Sequence, residues 1–136
     1  MQELEPVFDK VARYFALLSD ASRLKVIHAI CNTERSVNDV VTETGLSQST
    51  VSRHLSALHL AGVATRHKAG TQARYLISDR TLTDICRTAC VSLVAREEEH
   101  ASQVPPMKKQ ASRFMPDAAN DVSMGRSAPV TAKTRK

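Results

Sequence analysis

Residues 47–54 (SQSTVSRH) concentrate hydroxyl, amide, guanidinium and imidazole groups in one short run. Groups of this kind hydrogen-bond to base edges and phosphate oxygens, and short side chains at the start of a helix let its backbone approach a groove of DNA. The run therefore predicts a surface that reads double-stranded DNA. Its predicted members are Ser47, Gln48, Ser49, Thr50, Ser52, Arg53 and His54.

A second concentration of cations follows between Gly62 and Asp79, where the sequence has no acidic residue. Such a local excess of positive charge is typical of segments that contact the phosphate backbone. We predict these contacts for Arg66, Lys68 and Arg74.

The net charge of +5 is not itself a sign of nucleic-acid binding, because it is carried by the C-terminal part of the chain. Residues 101–136 contain seven Lys or Arg and two Asp, whereas residues 1–100 contain twelve basic and twelve acidic residues. The C-terminal part has scattered Pro, Ser, Ala and Asn and no hydrophobic period. Residues 101–136 are therefore predicted to be a basic, disordered tail.

Three cysteines, Cys31, Cys86 and Cys90, are too few and too unevenly spaced for the disulfide framework of a secreted module. All three lie on apolar stripes of predicted helices, so they can pack as small hydrophobic residues. They can also form a redox-active dithiol, or a three-thiolate site for a soft ion such as As(III) or Cd(II). The residues alone leave these interpretations open, and none of them requires a resident cofactor.

The rest of the sequence argues against several classes of protein. The chain has no run approaching the ~20 apolar residues of a membrane span, and Glu3, Glu5 and Asp9 stand where a secretory signal would be basic. We therefore expect a cytoplasmic protein without a membrane partner. Because the sequence has no glycine-rich phosphate loop and no nucleophile motif, we do not expect an enzyme.

Five amphipathic segments and two β-prone runs are predicted to position these groups. Ser19 or Asp20 can cap the second helix, Ser36 the third and Ser47 the fourth. The predicted helices span residues 6–18, 21–32, 37–44, 48–61 and 81–100, and the β-prone runs span residues 63–67 and 73–77.

The third and fourth predicted helices, joined by the turn Gly45-Leu46-Ser47, form a helix-turn-helix. The two β-prone runs, joined by residues 68–71 with Gly70 at the tip, form a hairpin beside it. The predicted fold is mainly α with a small β-hairpin wing: a winged helix-turn-helix of four helices, a hairpin and a fifth helix. An ordinary amphipathic helix pair and a protein-binding scaffold are the alternatives. The basic hairpin argues against the first, and the polar face of the fourth helix argues against the second.

Four segments and Tyr75 match a known pattern: residues 16–24 (ALLSDASRL), 34–40 (ERSVNDV), 46–58 (LSQSTVSRHLSAL) and 61–63 (AGV). Through them the sequence resembles the ArsR/SmtB-type family of bacterial repressors. The resemblance implies that residues 1–100 form a DNA-binding and dimerisation domain, with the first and fifth helices at the homodimer interface. It also implies an inverted-repeat operator, with half-sites about one helical turn apart, and release by an inducer.

The resemblance does not name the inducer, because members of the family differ in where its site lies. The positions of the family's arsenic site hold Ser36 and Asn38 here, so that site is absent. The positions of the family's zinc and nickel site do not hold the full set of required ligands either. The spacing of those ligands recurs in this sequence only five residues later. A five-residue shift turns a helix by roughly 140°, so we do not favour that second register. The aligned positions are Asp79, Thr81, Ser92 and Ala95, and the shifted ones are Asp84, Cys86, Glu97 and His100.

The thiol-responsive members of the family have cysteines at positions that align with His28 and Val94. Here Cys31 lies one turn later and Cys90 one turn earlier. If the two helices cross in opposite directions, these displacements compensate and the two thiols can face each other, with Cys86 as a third thiol. We favour a dithiol switch over a soft-ion site, because the switch needs only two thiols to converge.

Overall fold

The computed structural model describes residues 1–101 and confirms a mainly α fold with a small β-hairpin. The chain divides into two units, Met1–Ala89 and Cys90–Lys136, with the division inside the last helix. The predicted tail lies outside the described residues, except for Ala101. A 3₁₀ turn (Gln2–Leu4) precedes α1 (Glu5–Ala16), α2 (Ala21–Ile30), β1 (Arg35–Ser36), α3 (Val37–Thr44), α4 (Gln48–Leu60), β2 (Ala64–Ala69), β3 (Gln72–Ile77) and α5 (Arg80–His100).

Side-chain caps set where three of the helices begin. The Asp20 carboxylate accepts a backbone N–H of the first turn of α2 at 3.1 Å, so Asp20 rather than Ser19 caps that helix. Ser36 starts α3 with a reciprocal capping box formed with Asp39, and Ser47 caps α4. Each cap satisfies backbone donors that the helix leaves free and contributes about 1 kcal/mol.

Two glycines allow sharp turns, one before α4 and one at the tip of the hairpin. Gly45 ends α3 with a φ of 72°, a left-handed conformation that costs a residue with a side chain more than it costs glycine. Gly70, with a φ of 66°, turns the hairpin. The ladder continues to Ala69 opposite Gln72, so the loop is shorter than the predicted residues 68–71.

A third, two-residue strand was not predicted. β1 pairs antiparallel with β3, Arg35 opposite Tyr75 and Ser36 opposite Arg74, which gives the strand order β1-β3-β2. A strand of this length has no alternation of polar and apolar residues to detect. Its effect is to attach the hairpin to the segment that leads into α3.

The core of the Met1–Ala89 unit lies between α2, α3 and α4. α2 contacts both of the other helices, and β3 packs on it from the hairpin. The largest fully buried side chains are Val26, Ile27, Ile30, Val40, Val51, Leu55, Leu58 and Leu82. This core holds α4 by one stripe and leaves its opposite side in solvent.

α1 contributes no buried residue to this core. Its apolar face remains open in the single chain, since Val7, Phe8, Val11 and Phe15 are each between 43% and 52% exposed. Within residues 1–101, no helix is both long enough and apolar enough to cross a lipid bilayer.

Tyr14 attaches α1 to the beginning of α5. Its hydroxyl donates to the Asp79 carboxylate at 2.7 Å, and the other Asp79 oxygen accepts the backbone N–H of Thr81 at 2.9 Å. Burial, and then the hydrogen bond to Asp79, raise the pKa of Tyr14 well above its usual value. The hydroxyl therefore stays protonated and keeps donating at physiological pH.

Candidate nucleic-acid interface

The two sides of α4 differ as a DNA-reading helix requires. Gln48, Ser49, Ser52 and Arg53 are exposed, while Val51, Leu55 and Leu58 are buried beneath them. The N-terminal half of the helix thus presents an amide, two hydroxyls and a guanidinium group to solvent. These groups can donate to and accept from base edges in the major groove.

The side chains of Ser47 and Thr50 hydrogen-bond to each other at the start of α4, and the Ser47 side chain also bonds to the backbone there. The Ser47 hydroxyl donates to Thr50 Oγ1 at 2.8 Å and accepts the backbone N–H of Thr50 at 3.2 Å. Both residues thus help to fix where α4 begins, and their contact with DNA stays a prediction.

His54 does not lie on the exposed face, which corrects the prediction that it contacts DNA. It is only 2% exposed, and its Nε2 lies 2.6 Å from the Ser22 hydroxyl of α2. Position 54 falls three residues after Val51 on the buried stripe, and that helical spacing is the signal that the sequence interpretation overlooked.

His54, Ser22 and Asp20 form a chain of hydrogen bonds between α4 and the start of α2. The Ser22 hydroxyl donates to the Asp20 carboxylate at 2.6 Å. This bond, followed by the Arg23 backbone N–H, lowers the pKa of Asp20 to about 2. Because Asp20 is ionised and Ser22 has one proton to give, His54 must donate its own Nε2 proton to Ser22.

We expect the free energy of unfolding to decrease as the pH falls from 7.5 to 5.5. Burial lowers the pKa of both His54 and His28, with Asp20 partly opposing this at His54. Below about pH 6.5 the unfolded chain therefore takes up protons that the folded chain resists. Chemical denaturation at the two pH values should show a smaller decrease for His54→Gln, and equal decreases in both proteins would contradict this assignment.

Arg74 is held by the protein itself. Its Nη2 donates to the Glu34 carbonyl at 2.9 Å and lies 3.8 Å from the Asp39 carboxylate. The neighbouring His67 Nδ1 lies 2.9 Å from the Glu34 carboxylate. Arg74 therefore attaches β3 to the segment before α3, and its contact with phosphate stays a prediction.

Arg66 and Lys68 remain on the exposed face of β2. Arg66 Nε donates to the Tyr75 hydroxyl at 3.1 Å, which orients the guanidinium group without neutralising it. The base of the hairpin is also joined to α4, because His59 Nδ1 lies 3.1 Å from the Ala64 carbonyl oxygen. Two cations are thus positioned beside the reading helix.

The three cysteines lie within the described residues, and none of them is part of a disulfide there. Cys31 follows α2 and donates its Sγ proton to the His28 carbonyl at 3.1 Å, and Cys86 is buried on α5. Burial raises the pKa of the Cys90 thiol. Over residues 1–101 of one chain, no group of three or more His, Cys, Asp or Glu side chains is placed to hold a metal ion.

A reading helix, a glycine turn before it and a cationic hairpin beside it define a winged helix-turn-helix, the fold of a large class of DNA-binding regulators. Residues 20–66 match the family model described as "Bacterial regulatory protein, arsR family". The chain belongs to this ArsR family, as the sequence segments predicted. Its relatives are transcriptional regulators rather than enzymes.

Two relatives illustrate the match. A probable mercury resistance operon repressor from Streptomyces lividans is 36% identical over 81 residues, which are 60% of this chain and 65% of the relative. The cadmium resistance transcriptional regulatory protein CadC from Listeria innocua is 37% identical over 70 residues, 51% of this chain and 59% of the relative. The chain thus spans less than two thirds of the length of either protein.

A solved structure shows the same fold. It is the homodimeric winged helix-turn-helix DNA-binding domain of a possible ArsR-family transcriptional regulator from Mycobacterium bovis, determined by solution NMR. It is 29% identical and superimposes with a TM-score of 0.58 over 71% of this chain and 88% of that one.

Proposed function

We propose that this protein is a homodimeric, cytoplasmic transcriptional repressor that binds an inverted-repeat operator in double-stranded DNA. The observation that carries the proposal is the exposed polar face of α4 beside the cations of β2. Gln48, Ser49, Ser52 and Arg53 would read bases in the major groove. Arg66 and Lys68 would contact the phosphates alongside it.

The open apolar face of α1 supports the homodimer. Four large side chains along one face of a helix are costly to leave in water, and a second copy of the chain can cover them. Val91 and Leu93 of α5 are exposed as well. Pairing two chains about a two-fold axis would place two α4 helices on half-sites about 34 Å apart, and the Mycobacterium bovis domain is itself described as homodimeric.

Selection from a random duplex library, followed by fluorescence anisotropy, tests this function. We expect the selected sequences to be inverted repeats with centres about one helical turn apart, bound by two chains per duplex. The affinity should fall steeply with added salt, because phosphate contacts release counterions. Failure to enrich any sequence over the starting library would contradict the proposal.

We further propose that the inducer acts on one or more of Cys31, Cys86 and Cys90. In the redox version, a disulfide or polysulfide compound acts as the oxidant. It accepts two electrons and two protons from two cysteine thiols, and the two sulfur atoms become a disulfide bridge. In the alternative, the thiols lose their protons to solvent as a soft ion such as As(III) or Cd(II) binds their sulfur atoms as thiolates. The names of the mercury and cadmium resistance relatives favour keeping this alternative. In the third version, the protein is a repressor that does not sense through its cysteines, which serve only as packing residues.

Cys31→Ser and Cys90→Ser should keep operator affinity and lose the response to inducer. We expect the inducer to weaken wild-type binding by about 10- to 100-fold and the variants by less than about threefold. Anisotropy is measured with reductant, with a polysulfide donor, and with arsenite or Cd(II), and the treatment that releases the DNA identifies the chemistry. Cys86→Ser then shows whether the third thiol takes part. If no treatment releases the wild type, the cysteines are packing residues.

A further inference from the structure

We infer that His54 is a positioning residue for DNA reading, which acts through Ser22 to fix the rotation of α4 against α2. The inference rests on the proposed function and assigns a task to a polar residue that does not itself face DNA. His54 is buried on α4, and its partners Ser22 and Asp20 lie at the start of α2.

Apolar packing alone does not fix the rotation of a helix closely. Val51, Leu55 and Leu58 hold α4 against the core, but hydrophobic contact is non-directional and changes little for a small roll. A hydrogen bond, in contrast, weakens steeply as its angle departs from linear. The His54 Nε2 to Ser22 Oγ bond, at 2.6 Å, therefore adds an angular restraint to the packing.

The Asp20 carboxylate holds the α2 end of this restraint in place. The same Asp20 oxygen accepts both the Ser22 hydroxyl and the backbone N–H of Arg23, so the carboxylate that starts α2 also anchors the chain to His54. At the other end of α4, His59 Nδ1 lies 3.1 Å from the Ala64 carbonyl oxygen. The helix is thus joined to its surroundings by hydrogen bonds at positions 54 and 59.

Rotation of α4 matters because the reading residues extend far from the helix axis. Arg53 precedes His54 directly and points about 100° away from it around the helix. A roll of about 10° would move the end of an extended side chain by about 1 Å, enough to impair base recognition. Phosphate contacts tolerate such shifts better, because they depend less on geometry.

The test compares variants of the full chain on two duplexes, the operator obtained by selection and a scrambled control of equal length. His54→Leu keeps similar volume and removes the donor, while Ser22→Ala removes the bridging hydroxyl at a half-buried position. We expect each to weaken operator binding by about tenfold and scrambled binding by less than about twofold. His54→Gln offers an amide N–H at similar reach and should restore operator binding to within about threefold of wild type.

Ser19→Ala is the matched control, because the Ser19 hydroxyl donates to the carbonyl of Ala16 and none of the described contacts joins it to α4. It should bind both duplexes as wild type does. All affinities are measured where circular dichroism shows each variant to be as folded as the wild type. Should His54→Leu fail to fold, Ser22→Ala and His54→Gln still decide the question.

Equal operator affinity for wild type and Ser22→Ala would overturn the inference while leaving the repressor function standing. Parallel losses on both duplexes would also overturn it, since a merely structural role reduces all binding alike. If the wild type shows no preference for any duplex, the proposed function and the inference both fail.

Discussion

Val11→Asp should convert the proposed dimeric repressor into a monomer and weaken operator binding by at least about 100-fold, because a monomer engages one half-site instead of two. Val11 lies in the middle of the open apolar face of α1, with Phe8 and Phe15 beside it. A carboxylate on each chain would have to be buried, unpaired, where two such faces meet. Sedimentation equilibrium and operator anisotropy measure the two effects.

Arg13→Ala is the control for this substitution. It lowers the net charge of the chain by the same amount but lies on the polar side of α1. We expect it to leave the dimer intact and operator affinity nearly unchanged at moderate salt. A Val11→Asp protein that remained dimeric would show that α1 does not form the interface.

The second large effect is expected for Arg53→Ala, which should weaken operator binding by about 10- to 100-fold and relax the sequence preference at one position of each half-site. Arg53 is exposed on the reading face of α4, and its guanidinium group can bond to two acceptors of one guanine. The measurement is anisotropy against a panel of operators with single base changes.

Arg80→Ala provides the matched control, because Arg80 is an exposed arginine at the start of α5 and is not one of the reading residues of α4. It should lose little affinity and keep every base preference. If Arg53→Ala weakened all operators in the panel equally, Arg53 would be a phosphate contact and another residue would read that position.

Local chemistry made much of the fold predictable. Ser36 and Ser47 cap helices through hydrogen bonds to residues three positions away. Both partners of each bond therefore lie in one short segment of the sequence, and the cap can be predicted from that segment. The family pattern added the order of the elements, because its segments include the cap, the turn and the reading helix together. These are features whose partners lie close together in the chain.

Residue type alone did not predict which partners Arg74 and His54 have in the protein. Arg74 was predicted to contact phosphate because residues 63–78 include no acid, and the structure adds that Glu34 and Asp39 reach it from the segment before and within α3. His54 was grouped with its polar neighbours by residue type, although its angular position on α4 already placed it with Val51 and Leu55. The contacts of Arg74 required the tertiary structure, whereas helical geometry could have predicted the burial of His54.

The attachment of the hairpin has a mechanical consequence for how an inducer can work. β1 pairs with β3, and Arg74 and His59 join the hairpin to the two helices of the helix-turn-helix. These contacts hold the helix-turn-helix and the hairpin of each chain together as one body. We therefore expect release to come from a change in the angle between two such bodies, not from deformation within one. Over the distance of about 34 Å expected between half-sites, a relative rotation of about 5° would displace one of them by about 3 Å, so a small change in the angle between the two chains would be enough to disrupt operator binding.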